Sequence, residues 1–529
     1  MDQPVAILPG MPSPATPSLA PTWNISPPRN AALEWVAIAS GYLAVSLLLR
    51  GFLFGDPVIH IDEQFYLLVG DRMLHGTLPY VDIWDRKPIG LFLLYAGLRE
   101  LGGDGIVQYQ VAAMLSTIAT ALVVYRMARA IASPGGAWWA GIAYMLFLSA
   151  FHCEGGQSPV FYNLLMTLAA MILMNAWTAK DDDGLLGVGA AAMALIGIAI
   201  QIKYTPVFEG LAFGLAFMVK AWVERWSASR IAAAALLWSS IALAPTLLAL
   251  GYYERIGEGE AFIHANFVSI FLRDQPFWPG IGRLAKELLV LTPFWLAIFG
   301  APAWLGWFKT PTLRRGDQRP AALGILRYWA VAAMAGFLIF GSYYDHYIAP
   351  LLAPLSVLAS PALGWTAERR RLTQLMLGLG LISAVYTTIH EYLNCGNAGD
   401  IARETTLIRA HGGNDSLYVF EGDPVLYMTT GARLPTAYNF PTHLSSTVES
   451  RALGIDSDAE IARIMASHPA VVTMEVKPQG WPVNWRTRAI LSAALRRDYK
   501  VFATTKVGHS VYHLYGLRPS LAGAVAAKT

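Results

Sequence analysis

Apolar runs of about 20 residues recur along this chain as far as residue 390, and that recurrence limits the folds open to it. In a bilayer every backbone amide and carbonyl must be satisfied inside a helix or a closed barrel, so runs of this length predict membrane-spanning helices. Eleven spans are predicted, over approximately 32–54, 105–129, 137–151, 158–178, 184–201, 205–221, 231–252, 285–308, 325–342, 346–364 and 372–390. The third and fifth are short and are expected to extend into their flanks. Only 14% of the 529 residues are charged and 55% are hydrophobic, whereas about a quarter of an ordinary globular domain is charged. A soluble protein is excluded. The fold class expected is mainly α, a polytopic helical membrane protein of about eleven transmembrane helices.

An odd number of spans places the termini on opposite sides, and basic residues orient them. Arg126 and Arg129, Lys180, then Lys220, Arg225 and Arg230 fall on one side in this count. So do Lys309, Arg314, Arg315, Arg319 and Arg327, and the run Arg369 to Arg371. By the positive-inside rule that side is cytoplasmic. Residues 1–30 carry eight prolines and read as a disordered cytoplasmic tail. No basic region or cleavage site precedes the first apolar run, so no removable signal peptide is expected. The transmembrane domain is assigned to 31–390, with a first outer loop at 55–104. Beyond 390 the pattern becomes soluble, and 391–529 is expected to form a small extracytoplasmic α/β domain. Its strands fall at 416–422 and 470–476, its helices after a Ser457-Asp458-Ala459-Glu460 capping box and over 484–498, and further strands follow. Cys153 and Cys395 are too few for a disulfide framework and read as unpaired. No glycine-rich phosphate loop or zinc-ligand spacing occurs, and nothing suggests a nucleic-acid partner.

The stretch from His60 to Glu100 is far more charged than its neighbours. Asp62-Glu63 opens it: a carboxylate here can take a proton from a hydroxyl nucleophile, or it can simply cap the helix that follows. Asp85-Arg86-Lys87-Pro88 closes it before an apolar helix. Two cations and the free amides of a helix N-terminus suit an anion such as phosphate, although Arg86 and Lys87 could instead snorkel to headgroups. Further candidates are Lys203 at a break between spans and His346-Tyr347 within the polar aromatic segment 343–350. His152, Glu154 and Asn163 lie around the end of the third span. The loop 253–284, with Phe277-Trp278-Pro279, suits either a lid or interfacial anchoring.

Asp62-Glu63 after the first span, then Tyr66 and Gly70, then Asp85-Arg86-Lys87-Pro88 heading an apolar helix, resembles the polytopic GT-C glycosyltransferases. Within them the likeness is to the polyprenyl-phosphate-sugar transferases, which include protein O-mannosyltransferases and lipid A aminoarabinose transferases. His346-Tyr347-Ile348-Ala349-Pro350 is similar to a late Tyr-x-x-Pro segment of that group, and Lys203 falls where members often carry a lysine. The resemblance covers about residues 32–390. It departs at Lys87-Pro88-Ile89, where members often read Lys-Pro-Pro. Glu154 is only a loose counterpart of the second outer-loop aspartate of some members.

The resemblance implies transfer of a sugar from a polyprenyl-phosphate donor to an envelope glycan, lipid or protein, with inversion, at the outer face of a membrane. That membrane would be the bacterial inner membrane, with membrane lipids as the surroundings. Asp62 would be the general base with Glu63 beside it, and Arg86, Lys87, Lys203 and His346 would contact the donor phosphate. Tyr66, Asp85, Glu154 and Tyr347 are candidate substrate contacts. No cofactor is required, although Asp62 and Glu63 could hold a divalent cation. The rival reading is a transporter or flippase of a lipid-linked glycan, which would place charges near the midplane in repeated halves.

Overall fold

A computed structural model describes residues 31–179, 184–274, 277–300, 318–339, 341–478 and 480–521. The proline-rich tail and the basic residues Lys180, Lys309, Arg314 and Arg315 lie outside the described residues. The described chain opens with the helices α1 (Ala31–Arg50), α2 (Ile61–Leu74), α3 (Ile89–Arg99), α4 (Ile106–Ala128), α5 (Pro134–Ala150), α6 (Ser158–Thr178), α7 (Leu185–Ile200), α8 (Pro206–Val223) and α9 (Ala228–Arg255). Local chemistry sets several of their starts. Ser133 caps α5 with Pro134 at the first helical position, and Ser227 caps α9 through the Arg230 amide. Gly105 and Gly184 supply left-handed turns before α4 and α7.

Seven helices among the described residues are long and apolar enough to cross a membrane: Ala32–Leu53, α4, α6, α8, α9, Arg319–Leu338 and Arg370–Ala410. The chain is an integral membrane protein. The other predicted spans fall on shorter or broken elements. α5 and α7 have 17 and 16 residues. The predicted span 346–364 is a 3-10 turn (Asp345–Leu351), a short α-helix (Leu352–Ala359) and a second 3-10 turn (Ser360–Ala362). Pro350, Pro354 and Pro361 each remove a helix donor there, and the segment is buried among its neighbours rather than exposed to lipid. The span 285–308 starts earlier, as the amphipathic helix Phe277–Val290. It breaks at Thr292-Pro293 and passes through a π turn at Leu296–Gly300; its last residues lie outside the described ones.

Small residues bring the helices together, as lipid-embedded packing requires. A Cβ on Gly41 would lie 2.2 Å from the Trp138 ring and one on Gly141 2.1 Å from the Tyr42 hydroxyl, so α1 and α5 cross closely. Tyr42 and Trp138 stack there, with centroids 4.6 Å apart.

Within the run Arg370–Ala410 the membrane helix itself is Arg370–Cys395, ending past the boundary expected at 390. A capping box at Asn397 and Asp400 then starts the helix Ala398–Ala410. Beyond it lies a four-stranded sheet of β1 (Leu417–Val419), β2 (Val471–Glu475), β3 (Tyr499–Val507) and β4 (Ser510–Leu517), in the order β1-β2-β4-β3. β1 and β2 are parallel and the other pairs antiparallel, with a bulge between Val501 and Ala503. β1 and β2 are wholly buried. The helix Ser457–Ala466 is capped by Asp456 rather than by the expected Ser457 box, because Glu460 turns to Arg463 and Thr436. The second predicted helix is Trp485–Asp498, capped by Asn484. Cys153 and Cys395 are both free thiols.

Candidate functional site

Every loop that the charge pattern assigned to the outer side meets on one face of the bundle. His60 caps α2, accepting the Asp62 amide at 3.2 Å, so Asp62 sits in the first turn with its carboxylate free of capping duty. Asp62 Oδ2 lies 4.0 Å from Lys87 Nζ, 4.0 Å from His60 Nδ1 and 3.4 Å from Gln157 Nε2. Lys87 Nζ donates to the Tyr66 hydroxyl at 2.7 Å, one turn further along α2. The backbone around Lys87 is fixed as well: the Tyr80 hydroxyl donates to the Lys87 carbonyl at 2.8 Å, and the Arg86 amide to Asp85 Oδ1 at 2.6 Å. Burial pushes the Asp85 carboxyl up, against Lys87 and Arg86. Gly70 lets α2 and α3 close on each other, since a Cβ there would be 2.7 Å from the Ala96 nitrogen. His346 faces His60 edge-on at 5.7 Å, and Lys203 Nζ lies 3.8 Å over the Tyr347 ring.

The electrostatics separate these groups. Burial would raise the Asp62 carboxyl, but Lys87, His60, His346 and the Gln157 amide hold it well below the usual carboxylate range. Lys203 is buried with no hydrogen-bond acceptor for Nζ, and burial together with Lys87 lowers it to about 7. Glu63 points away from Asp62. Its carboxylate is wholly buried against Gly155, where a Cβ would meet Oε2 at 2.1 Å, and burial raises it to about 8. Glu154 is also buried and is raised by burial to about 7, against His152. Neither glutamate has a well-formed hydrogen bond to its carboxylate oxygens.

The expected residues therefore fall into groups. Asp62, Tyr66, Lys87, Lys203, His346 and Tyr347 surround one polar site, and Asp85 supports its backbone. Arg86 is engaged elsewhere: its guanidinium pairs with Glu449 of the C-terminal domain, which also takes Arg273 Nε at 3.0 Å. The start of α3 is not open to an anion as expected, because the Leu91 amide donates to the Gln201 carbonyl at 2.9 Å. Asn163 has a structural task, bonding the Ala349 carbonyl at 3.1 Å. His152 bridges Asp345 (2.9 Å) and Glu391 (2.6 Å). Asp62 and Glu63 meet different neighbours: Asp62 faces Lys87, His60 and Gln157, while Glu63 packs against Gly155. Among the described residues no group of three His, Cys, Asp or Glu side chains is placed to hold a metal.

Sequence reasoning missed His60, Gln157, Arg273 and Glu449. His60 is the second residue before the Asp-Glu pair and is legible as a cap. Gln157 follows Gly155-Gly156, whose small size lets its segment press against α2. Nothing local marks Glu449, which lies 363 residues from Arg86 in sequence.

The fold and this one-sided polar site define a polytopic helical membrane protein with a small α/β domain following its last membrane helix. No family model matches the chain. It is 27% identical over 317 residues to an undecaprenyl phosphate-alpha-4-amino-4-deoxy-L-arabinose arabinosyl transferase of Edwardsiella ictaluri, a match covering 56% of this chain and 54% of that protein. The chain thus spans about half the length of this curated relative. Its structure is similar to that of ArnT from Cupriavidus metallidurans bound to undecaprenyl phosphate, with TM-score 0.56 and 17% identity over 92% of this chain and 98% of that one. It is also similar to the oligosaccharyltransferase AglB of Archaeoglobus fulgidus in complex with an inhibitory peptide and a dolichol-phosphate. There the TM-score is 0.52 and the identity 12%, over 89% and 73% of the two chains.

Proposed function

We propose that this protein is a membrane glycosyltransferase that moves a sugar from a polyprenyl-phosphate donor to an envelope acceptor, which is a glycan, a lipid or a protein. The reaction takes place at the outer face of the bacterial inner membrane, with the N-terminus cytoplasmic and the C-terminal domain outside. One observation carries the reading: a half-buried carboxylate, Asp62, and a half-buried lysine, Lys87, lie 4.0 Å apart on the face where the outer loops converge. The relatives that share the fold include structures holding undecaprenyl phosphate or dolichol-phosphate.

In this mechanism the acceptor oxygen attacks the anomeric carbon while its proton passes to Asp62. The bond from the anomeric carbon to the phosphate oxygen breaks, and the electron pair leaves with the lipid phosphate. Lys87 stabilises the charge that builds there, and in a dry site such a contact contributes a few kcal/mol to the transition state. Lys203 and His346 flank the same phosphate. The resting contact with Lys87 makes Asp62 a weak base. A donor phosphate that draws Lys87 onto itself removes that contact and restores the basicity of Asp62 when acceptor deprotonation needs it. Tyr66 holds Lys87 in reach of both groups. Glu63 supports the turn that carries Asp62 rather than binding a cation with it.

The test is turnover of a polyprenyl-phosphate sugar by purified variants. Asp62→Asn is expected to lose transfer by roughly 10²–10⁴-fold, the span ordinary for removal of a general base. Lys87→Ala is expected to lose more in turnover than in acceptor binding. Near-normal transfer by well-folded Asp62→Asn would remove the base assignment.

A further inference from the structure

Three separate parts of the chain meet at the carboxylate of Glu449. Arg86 brings the first outer loop and Arg273 the aromatic loop 253–284, while Glu449 itself belongs to the C-terminal domain. Glu449 is 3% exposed and Arg273 6%, so the contact is interior. Burial would raise Glu449, but Arg86 and Arg273 hold it at about 2. Backbone contacts run alongside. The Asp274 amide donates to the Val448 carbonyl at 3.1 Å, the Trp84 amide donates to the Ala437 carbonyl at 2.8 Å, and His264 Nε2 lies 3.0 Å from the Ala452 carbonyl. The Arg86 guanidinium also lies over the Trp84 ring, 5.2 Å from its centroid. Arg86 is adjacent to Lys87, and the Lys87 ammonium reaches both Tyr66 and Asp62.

We infer that Glu449 is a positioning residue for the proposed transfer, an inference that rests on that reading. By clasping Arg86 and Arg273 it fixes the Asp85–Pro88 turn against the aromatic loop, and so fixes where the Lys87 ammonium stands relative to Asp62. The C-terminal domain is then part of the reaction centre without touching substrate. A carboxylate suits the task because its two oxygens accept from two guanidiniums in planar, directional contacts, which a neutral side chain cannot match. Interior placement matters too, because a paired charge shielded from water holds its geometry where an exposed pair would exchange with solvent.

The experiment uses the full-length protein in lipid nanodiscs. It measures sugar release from a synthetic polyprenyl-phosphate sugar, and amide hydrogen exchange over residues 84–91. Glu449→Gln is expected to lower turnover about a hundredfold while the donor KM changes by less than about threefold, the signature of a misplaced but intact group. Exchange over 84–91 should quicken while exchange in the four-stranded sheet stays unchanged. Because this change leaves two guanidiniums facing each other, the paired variant Arg86→Gln/Glu449→Gln is made beside it. It returns the cluster to the single net positive charge of the wild type while leaving the clasp broken, and should show the same loss. Wild-type turnover in either folded variant, or unchanged exchange over 84–91, overturns the inference and leaves the proposed function standing. Wild-type protein that releases no sugar from any polyprenyl-phosphate donor fails in a different place: it removes the proposed function, and the positioning role with it.

Discussion

Replacing Glu63 with Gln tests the buried side of the Asp-Glu pair. Glu63 is wholly buried without a well-formed partner for either oxygen, and its carboxyl is raised from an ordinary 4.5 to about 8. Between those values the folded state holds a proton that the unfolded state has lost. Stability from this group is therefore complete below pH 4.5 and disappears as pH rises through 8. Each tenfold change in acidity corresponds to about 1.4 kcal/mol, so the total is roughly 5 kcal/mol, and the loss between pH 6 and pH 8 is about 2 kcal/mol. Gln has nearly the same shape and does not titrate. Thermal unfolding followed by tryptophan fluorescence at pH 6 and pH 8, at one scan rate, reads the difference. Wild-type protein should melt several degrees lower at pH 8 than at pH 6, and the gap should narrow sharply in Glu63→Gln. Neighbouring Glu154 titrates in the same window and its charge acts on Glu63, so the comparison is repeated with Glu154→Gln in both proteins. An equal pH response in the two proteins would show that Glu63 has a partner able to keep it ionised, and the reasoning from its burial would fail.

Gly155→Ala is expected to lower the yield of folded protein, because its Cβ would sit 2.1 Å from Glu63 Oε2 and the buried Glu63 carboxylate must move to make room. Adding Glu63→Ala should recover folded protein in a detergent size-exclusion assay by clearing that volume. His152→Gln breaks contacts to both Asp345 and Glu391, and should cost roughly 2 kcal/mol of stability at neutral pH, chiefly by leaving Glu391 short of a cation, since Asp345 keeps Lys286 at 2.6 Å. Burial lowers the His152 imidazole, but those two carboxylates raise it to about 10. Its ionic contribution is thus full below pH 6.5 and fades as pH approaches 10, so melting curves of wild type and variant should converge in alkali.

Much of this architecture is legible in the sequence because a bilayer enforces a simple length rule. Ala32–Leu53, α4, α6, α8, α9, Arg319–Leu338 and the helix from Arg370 stand close to where apolar runs predict them. The rule weakens where a segment is shielded by protein. Leu352–Ala359 is strongly apolar, yet prolines cut it short, and Asn163 of α6 bonds the Ala349 carbonyl just before it. The grouping of Asp62, Lys87, Lys203 and His346 is legible for a related reason: once the spans fix which loops share a side, few polar residues are left there to meet. The fate of Arg86 is not legible. Two adjacent cations look alike in sequence, and only the three-dimensional position of Glu449 separates Arg86 from Lys87. The helix start at Ile89 likewise reads as an open anion site until the Gln201 carbonyl is seen against it.

The docking of the C-terminal domain on the first outer loop also sets an order of events during synthesis. Gln64 Nε2 bonds Asp423 at 2.8 Å, Arg72 bonds the Tyr427 and Ala432 carbonyls, and Arg86 bonds Glu449. The members of the first of these pairs are 359 residues apart. At roughly 5–20 residues per second, the loop leaves the ribosome about 20 to 70 s before its partners exist. Throughout that interval Gln64, Arg72 and Arg86 stand in water or at the headgroup level without the bonds that later hold them. On the proposed function the reaction centre is therefore among the last parts of the molecule to be completed, and a nascent chain that has already inserted every membrane helix still lacks the contacts that hold it.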